Sequence, residues 1–423
     1  MAVTFLTNED KTILDGQINK NAEDIGKLSE EIGFDYSAYG LPIVYLTGDT
    51  TSMTKDNAVP MQYVYGDKSG ECEVKWQGSS SIRWPKKNYT IKFDNAFEAV
   101  EGWGEQNKYC LKAYYIDYSH LRDRIGANIW AKITKRNNAT SWLHTAPNAG
   151  AIAGFPCMVV INDKYMGLYS FNIPKDPWLF DFDDTDPNYA IVGMALDGNV
   201  TRFKAASTFS STSFEWEHLA DSADEATMAA QFGRIYTAIV TSENESNCYN
   251  AGCLNSCIDV ANVIHHFIFA VVFSHRDGIG KNTLFITNDG GTKWAISEYD
   301  MDATLGNNVY GDSYISGKDQ TFANYAAMSK LFDVVYKYDA SRLITQYKSL
   351  RRTVLLESVV ANTILNEGAK IPKAVLDYEM KLWPGIPGTN TNNVNQMLYN
   401  FHEHIIQCDA EIAALEASLS SGT

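Results

Sequence analysis

The chain is predicted to fold as an α+β protein, with a β-rich part followed by a helical one, on two observations. Before about residue 175, segments such as Asn88 to Phe93 (NYTIKF) alternate apolar and polar residues, the period of a half-buried strand. After about residue 215, KLFDVVYKYDASRLITQYKSLRRTVL from Lys330 and VNQMLYNFHEHIIQCDAEIAALEASL from Val394 place apolar residues three and four apart, as helices that bury one face do. With 423 residues, 45% of them hydrophobic, the chain can fill a large core. One bilobal domain is therefore expected over 41–410, with a small β-rich lobe at about 41–175 and a helical large lobe at about 215–410.

Ahead of that domain, residues 1–36 read as a helical arm. Thr7, with Asp10 three positions on, is a plausible N-cap, and Leu14, Ile18, Asn21, Ile25, Leu28 and Ile32 then fall alternately four and three apart. That is a short heptad seam whose Asn21 favours one register. Gly16 and Gly26 each weaken an isolated helix by about 1 kcal/mol relative to alanine, so the arm is expected to persist by associating with other copies, as a coiled coil.

In the β-rich part, Lys75 to Ser81 (KWQGSSS) leads into Arg83, Pro85, Lys86 and Lys87 and then into the Asn88 strand. Gly78 among serines suits a turn that brings backbone amides to an anion, and the basic residues beside it could grip phosphate. Further on, Asp176 to Asp186 (DPWLFDFDDTD) lacks the glycine and terminal glutamate of a calcium loop and reads as a solvated loop anchored by Trp178, Phe180 and Phe182. Ser207 to Ser213 has a flexible-loop composition and is a candidate for autophosphorylation. Cys248, Cys253 and Cys257 cluster without paired zinc-ligand spacing, so buried free thiols are expected.

The densest chemistry follows. Val260 to Ser274 (VANVIHHFIFAVVFS) is an apolar run of helical length, in which His265 and His266 read as core histidines. It delivers the chain to His275, Arg276 and Asp277, with Asn282 five positions after the aspartate, the H-R-D-x-x-x-x-N arrangement with which protein kinases hold a substrate hydroxyl and a magnesium ion. Thr283 to Thr287, the turn Asn288 to Gly291 and Thr292 to Ser297 form a predicted hairpin that returns Asp300 and Asp302 to the side of Asp277. Magnesium takes hard oxygen ligands, usually one or two from protein with phosphate and water completing the shell. Asn282, Asp300 and Asp302 are the candidate metal ligands and Asp277 the group that accepts or orients the substrate proton. The expectation is that these carboxylates converge on one cation and face the arginine and lysines of the early strand across a cleft.

Four blocks, KWQGSSSIRWPKKNYTIKF (75–93), NKYCLKAYYIDYSHLRDRIGANIW (107–130), VVINDKYMGLYSF (159–171) and EYDMDATLG (298–306), resemble in order the blocks of the CotH-like spore-coat kinases, over about 41–410. The resemblance implies an atypical bilobal protein-kinase fold, ATP with Mg2+ or Mn2+, and phosphorylation of serine or threonine in a protein. It places Arg83, Lys87 and Lys92 in the nucleotide-contacting block and Asp277, Asn282, Asp300 and Asp302 in the catalytic and metal-binding blocks. Family members often carry an acidic residue just after the Gly-Leu-Tyr turn, where this chain reads Ser170 to Pro174, so a carboxylate that would position a phosphate-binding lysine is expected to be missing.

The opening 33 residues resemble the N-terminal arms of phage and prophage tail and baseplate proteins, which implies a trimer in a phage tail or a phage-encoded effector in the host cytoplasm, with other tail proteins as partners. A formal charge of −16 argues against broad nucleic-acid binding and suits solubility or a basic substrate. No run of eighteen apolar residues and no charged-then-apolar leader is present in the sequence, so neither membrane insertion nor Sec export is expected. The alternative is a catalytically degenerate member kept as a structural or receptor-binding tail module.

Overall fold

The computed structural model describes residues 34–205, 209, 212–239, 252–314, 319–389 and 391–421. The expected coiled-coil arm, Cys248 and most of the Ser207 to Ser213 run lie outside these residues. In chain order come β1 (Ile43–Thr47), β2 (Val59–Tyr65), β3 (Lys68–Gln77), β4 (Asn88–Phe97), β5 (Gln106–Lys112), α1 (Arg122–Thr134), β6 (Gly154–Ile161) and β7 (Lys164–Asn172). Next are β8 (Ala190–Met194), β9 (Phe214–Leu219), α2 (Glu225–Ile239), α3 (Val260–Val272), β10 (Thr283–Thr287) and β11 (Ala295–Glu298). The helices α4 (Phe322–Met328), α5 (Lys330–Tyr338), α6 (Ala340–Arg351), α7 (Glu357–Ala369), α8 (Lys373–Leu382) and α9 (Val394–Ser421) complete a mixed α/β fold.

These elements form two compact units. The first comprises Met1–His120, Gly154–Pro174 and Ala369–Asn390, and the second Leu121–Ala153, Lys175–Gly368 and Thr391–Thr423. The chain thus passes between units several times, and α1 and α8 each belong to the unit that the linear order alone would not give them.

The first unit is a closed barrel in the order β1-β2-β3-β4-β5-β7-β6, antiparallel except where β1 meets β6 in parallel, so its strand edges are paired. Alternation decides which side chains fill it: Val59, Met61 and Tyr63 of β2 are buried while Pro60, Gln62 and Val64 face outward. The core is aromatic, with Phe93 4.6 Å from Tyr63 and Phe171 4.7 Å from Tyr109 between ring centroids. Helix α8 lies on β7, and Trp383, at the break that ends it, donates its indole N–H to the Met166 carbonyl at 3.0 Å.

The second unit holds an antiparallel sheet, β11-β10-β8-β9, with helices around it. Its central helix α3 is buried along almost its whole length because its sequence is mostly apolar, Asn262, His265 and His266 being its buried polar residues. Asp259 caps it, its carboxylate accepting from the backbone N–H groups of Ala261 (2.9 Å) and Asn262 (3.3 Å). Phe180 and Phe182 are buried and anchor the acidic loop. Burial also pushes the Cys257 thiol up to about 11.

Candidate active site

Helix α3 carries the chain to the H-R-D motif through Ser274, whose φ of 56° is left-handed. The motif's histidine points inward. His275 is fully buried, its Nε2 3.4 Å from Glu298 Oε2, an electrostatic contact longer than a good hydrogen bond, while His266 Nδ1 bonds Glu298 Oε1. Burial alone would raise the Glu298 carboxyl, but the His266 beside it outweighs that and holds it below the usual carboxylate range. The two histidines therefore anchor the last residue of β11 to α3 and to the start of the motif.

This clamp explains Gly278. A Cβ there would overlap the His275 ring and lie 2.7 Å from its Nε2 and 3.0 Å from Glu298 Oε2. Gly278→Ala is expected to cost about 1–3 kcal/mol through overpacking and to reduce any activity that depends on the loop, checked by thermal denaturation and a rate assay together.

Asp277 opens a short 3-10 turn, Asp277–Ile279, and is half-buried. Burial raises its carboxyl above the usual range; His275 and Lys281 oppose the shift, whereas Asp300 and Asp197 add to it. Asp277 is thus within electrostatic reach of Asp300. The β10–β11 hairpin sets Thr283 opposite Glu298, which leaves Asn282 and Tyr299 as neighbours at its open end. There the Tyr299 N–H donates to the Asn282 carbonyl at 3.2 Å, and Asn282 Nδ2 donates to the Asp300 carbonyl at 3.2 Å. Both Asn282 (φ 50°) and Asp300 (φ 56°) have left-handed backbones, a conformation asparagine and aspartate tolerate better than most residues. Asp302 follows in the turn Met301–Ala303, half-buried, its carbonyl accepting from Asn307 Nδ2 at 2.9 Å.

The donor set fits a divalent cation of the magnesium type. Anchoring Asn282 through Nδ2 leaves its amide Oδ1 to serve as a ligand, and Asp300, whose backbone carbonyl makes that bond, carries a second hard oxygen donor on its side chain. Among the described residues no three His, Cys, Asp or Glu side chains gather as a ready-made metal cage. Such a corner suits an ion whose remaining ligands are phosphate and water.

Residues with no role assigned from sequence hold this corner in place. Asp123, in the first turn of α1, accepts the Met301 N–H at 2.7 Å, and a Cβ on Gly126 would lie 2.6 Å from Met301 Sδ. Arg122, completely buried, donates through Nε to the Thr304 carbonyl at 2.9 Å. The HLRDRIG stretch is therefore a brace for the Asp300 to Asp302 turn. On the opposite flank, Lys175 places its ammonium 4.6 Å over the Tyr299 ring and pairs with Glu217. Glu217 sits where the β8–β9 register shifts, and Gly193 leaves the room it occupies. A bulge carries no sequence signature that would have disclosed this contact.

In the barrel unit, Arg83 is exposed and lies 5.0 Å over the Trp84 ring. Lys87 donates to the carbonyls of Ile82 (2.6 Å) and Trp84 (2.7 Å) in the same turn. Lys92 stands on the outward face of β4, paired across strands with Glu73 and Lys108. Lys92 lies four residues beyond the start of β4, about 14 Å along the strand, whereas Arg83 and Lys87 belong to the turn before it. Gly78 has φ 115°, and Ser81 Oγ fills the space its missing side chain leaves.

The lysine drawn into a carboxylate is instead Lys86. It is completely buried, bonds Glu379 of α8 and the Leu168 carbonyl, and lies 4.4 Å from the Tyr169 ring centre. Glu379 Oε2 also accepts the Leu168 N–H at 2.9 Å, and it occupies the space beside Gly167, whose φ is 100°. The carboxylate that Lys86 bonds thus comes from a distant part of the chain and not from the Ser170 to Pro174 stretch.

Residues 74–407 match the model of the family described as CotH kinase protein. No curated protein matches the chain. With most of its length in that match, and with the Asn282–Asp300 corner, the His275 clamp and the α1 brace all falling inside it, the chain belongs to the CotH kinase protein family.

Proposed function

We propose that this chain transfers the γ-phosphoryl group of ATP to a serine or threonine hydroxyl of a protein. The observation that carries the reading is the corner at the open end of the β10–β11 hairpin, where Asn282 and Asp300 meet within electrostatic reach of Asp277. Phosphoryl transfer needs positioning and charge neutralisation more than covalent help. Asp277 orients the acceptor hydroxyl and takes its proton, and its burial favours that proton more than in an ordinary aspartate. Asn282 and Asp300 would hold Mg2+ or Mn2+, with Asp302 behind them in the same turn. The cation, when bound, supplies neutralisation of the phosphate oxygens. Arg83, Lys87 and Lys92 are the proposed nucleotide contacts, Arg83 foremost because it is exposed at its turn, whereas Lys87 is bonded to two carbonyls.

The test is incubation of the purified chain with labelled ATP, Mg2+ or Mn2+ and a panel of proteins. Label appearing on protein only in the presence of the metal supports the reading. Neither nucleotide binding nor transfer would favour a structural or receptor-binding module instead.

The setting in a phage tail, alongside other tail proteins or in the host cytoplasm, belongs to the same proposal and rests on the opening heptads. Light scattering of the full chain is expected to give a trimer and, after removal of residues 1–33, a monomer; a monomer in both cases would remove the assembly role.

A further inference from the structure

The −16 charge taken alone suggests a basic substrate, but the surface beside the Asp277 loop has the opposite sign. Helices α4 and α5 line a cavity of 480 Å3 with Lys204, Lys330 and Lys337 around it, Asp333 and Tyr336 at its wall and alanines of α4 as its floor. Asp333 is shared, 3.2 Å from the Lys330 ammonium and 2.9 Å from that of Lys337. One carboxylate thus serves two ammonium groups, and the exposed Lys204 has no ion pair among the described residues. The cavity keeps a positive excess.

One end of the α4–α5 joint touches the candidate catalytic loop and the other bonds Arg202, which packs against that loop at Gly280. Arg276 of the H-R-D motif reaches Met328 Sδ, at the end of α4, with Nη2 at 3.8 Å. At the start of α5, the Lys330 N–H donates to the Arg202 carbonyl at 3.0 Å. Arg202 in turn forms a two-pronged pair with Asp197, at 2.8 and 2.7 Å, and packs where Gly280 lacks a side chain. The same two helices that line the basic cavity therefore border the loop that carries Asp277.

From this juxtaposition we infer that the cavity receives an acidic segment of the acceptor polypeptide, so that the favoured substrate is a serine or threonine with aspartate or glutamate nearby. The inference rests on the phosphoryl-transfer reading and narrows it to a substrate class. Lys330 and Lys337 both reach the same Asp333 oxygen, at 3.2 and 2.9 Å, so their ammonium groups stand at most about 6 Å apart, close to the spacing of residues i and i+2, which share one face of an extended peptide. Two carboxylates i and i+2 in the acceptor match that separation.

The test compares two peptides with one acceptor serine, one carrying glutamates two residues apart and the other glutamines at those positions. For the native chain, kcat/KM for the glutamate peptide is expected to be at least about tenfold higher, mostly through KM. Lys204→Glu with Lys337→Glu should erase that preference and leave kcat for the glutamine peptide unchanged; the milder Lys204→Gln with Lys337→Gln, with melting temperatures recorded, guards against a folding defect. Anisotropy of the fluorescent glutamate peptide, measured without ATP, reads binding independently of transfer. Transfer without a glutamate preference, or a preference that survives charge reversal, overturns the inference and leaves the kinase reading standing. Glutamate-peptide binding lost on charge reversal, with no transfer by any variant, upholds the basic docking surface for acidic segments and removes the kinase reading. No binding and no transfer overturns both.

Discussion

Asp277→Asn is expected to lower phosphate transfer by about 10²- to 10⁴-fold, the usual contribution of a positioned general base. The amide keeps the size of the side chain but cannot take the acceptor proton. Asp277 is half-buried without being a structural anchor of the kind His275 is, so its replacement should leave the melting temperature nearly unchanged. Burial is the main reason its carboxyl is raised, with Asp300 and Asp197 adding to it against His275 and Lys281, so removing its charge should if anything stabilise the loop. A rate unchanged in Asp277→Asn, measured at saturating ATP and peptide, would assign the proton transfer elsewhere.

The second large effect concerns stability of the barrel unit. Lys86 and Glu379 have completely buried side chains, and removing one partner strands a charge in an apolar interior. Lys86→Met or Glu379→Leu alone is expected to cost about 3–5 kcal/mol, which lowers the melting temperature by roughly 10 °C for a unit of this size. The double replacement should recover most of that loss, because two apolar side chains need no compensating charge. Losses that merely add in the double variant would show that the pair is not coupled. The pair also sets an acid limit. Burial pushes the Glu379 carboxyl up, but Lys86 and His120 outweigh it and hold it below its usual range. A carboxyl depressed in the folded state contributes stability that is present above its unfolded value of about 4.3 and is lost as pH falls through the lower folded value. Denaturant midpoints should therefore drop on acidification below about pH 4, and less steeply in Glu379→Leu.

Much of the second unit could be read from the sequence because its signals are local. The apolar run from Val260 yields α3, Thr283 to Thr287 is β10 as expected, and the Asn288 to Gly291 turn returns Asp300 to Asn282. Helix α3 is followed directly by the motif, and a hairpin fixes what lies at its open end. Contacts spanning the chain were out of reach. Glu379 lies 293 positions from Lys86, and nothing in a helix reading KAVLDYEMKL marks one glutamate as the buried partner of a lysine. Asp123 and Met301 are similarly joined over 178 positions. The sequence also could not separate the roles of adjacent basic residues: Arg83, Lys86 and Lys87 occur within five positions, yet one is exposed, one is fully buried and one bonds two carbonyls of its own turn. The CotH-like blocks and the H-R-D motif were legible as patterns, while the contacts by which His275, Asp123 and Gly278 brace the loop and the Asp300 to Asp302 turn needed the three-dimensional arrangement.

The most direct measurement is a Mn2+ titration followed by electron paramagnetic resonance, with ATP present, on the native chain and on Asp300→Ala and Asn282→Ala. The prediction is a protein-bound, ATP-dependent Mn2+ signal whose affinity falls at least about tenfold in Asp300→Ala, less in Asn282→Ala, and not at all in the exposed control Lys164→Ala. A Mn2+ affinity indifferent to both Asp300 and Asn282 would contradict the assignment of the hairpin's open end as the cation site, and the phosphoryl-transfer reading with it.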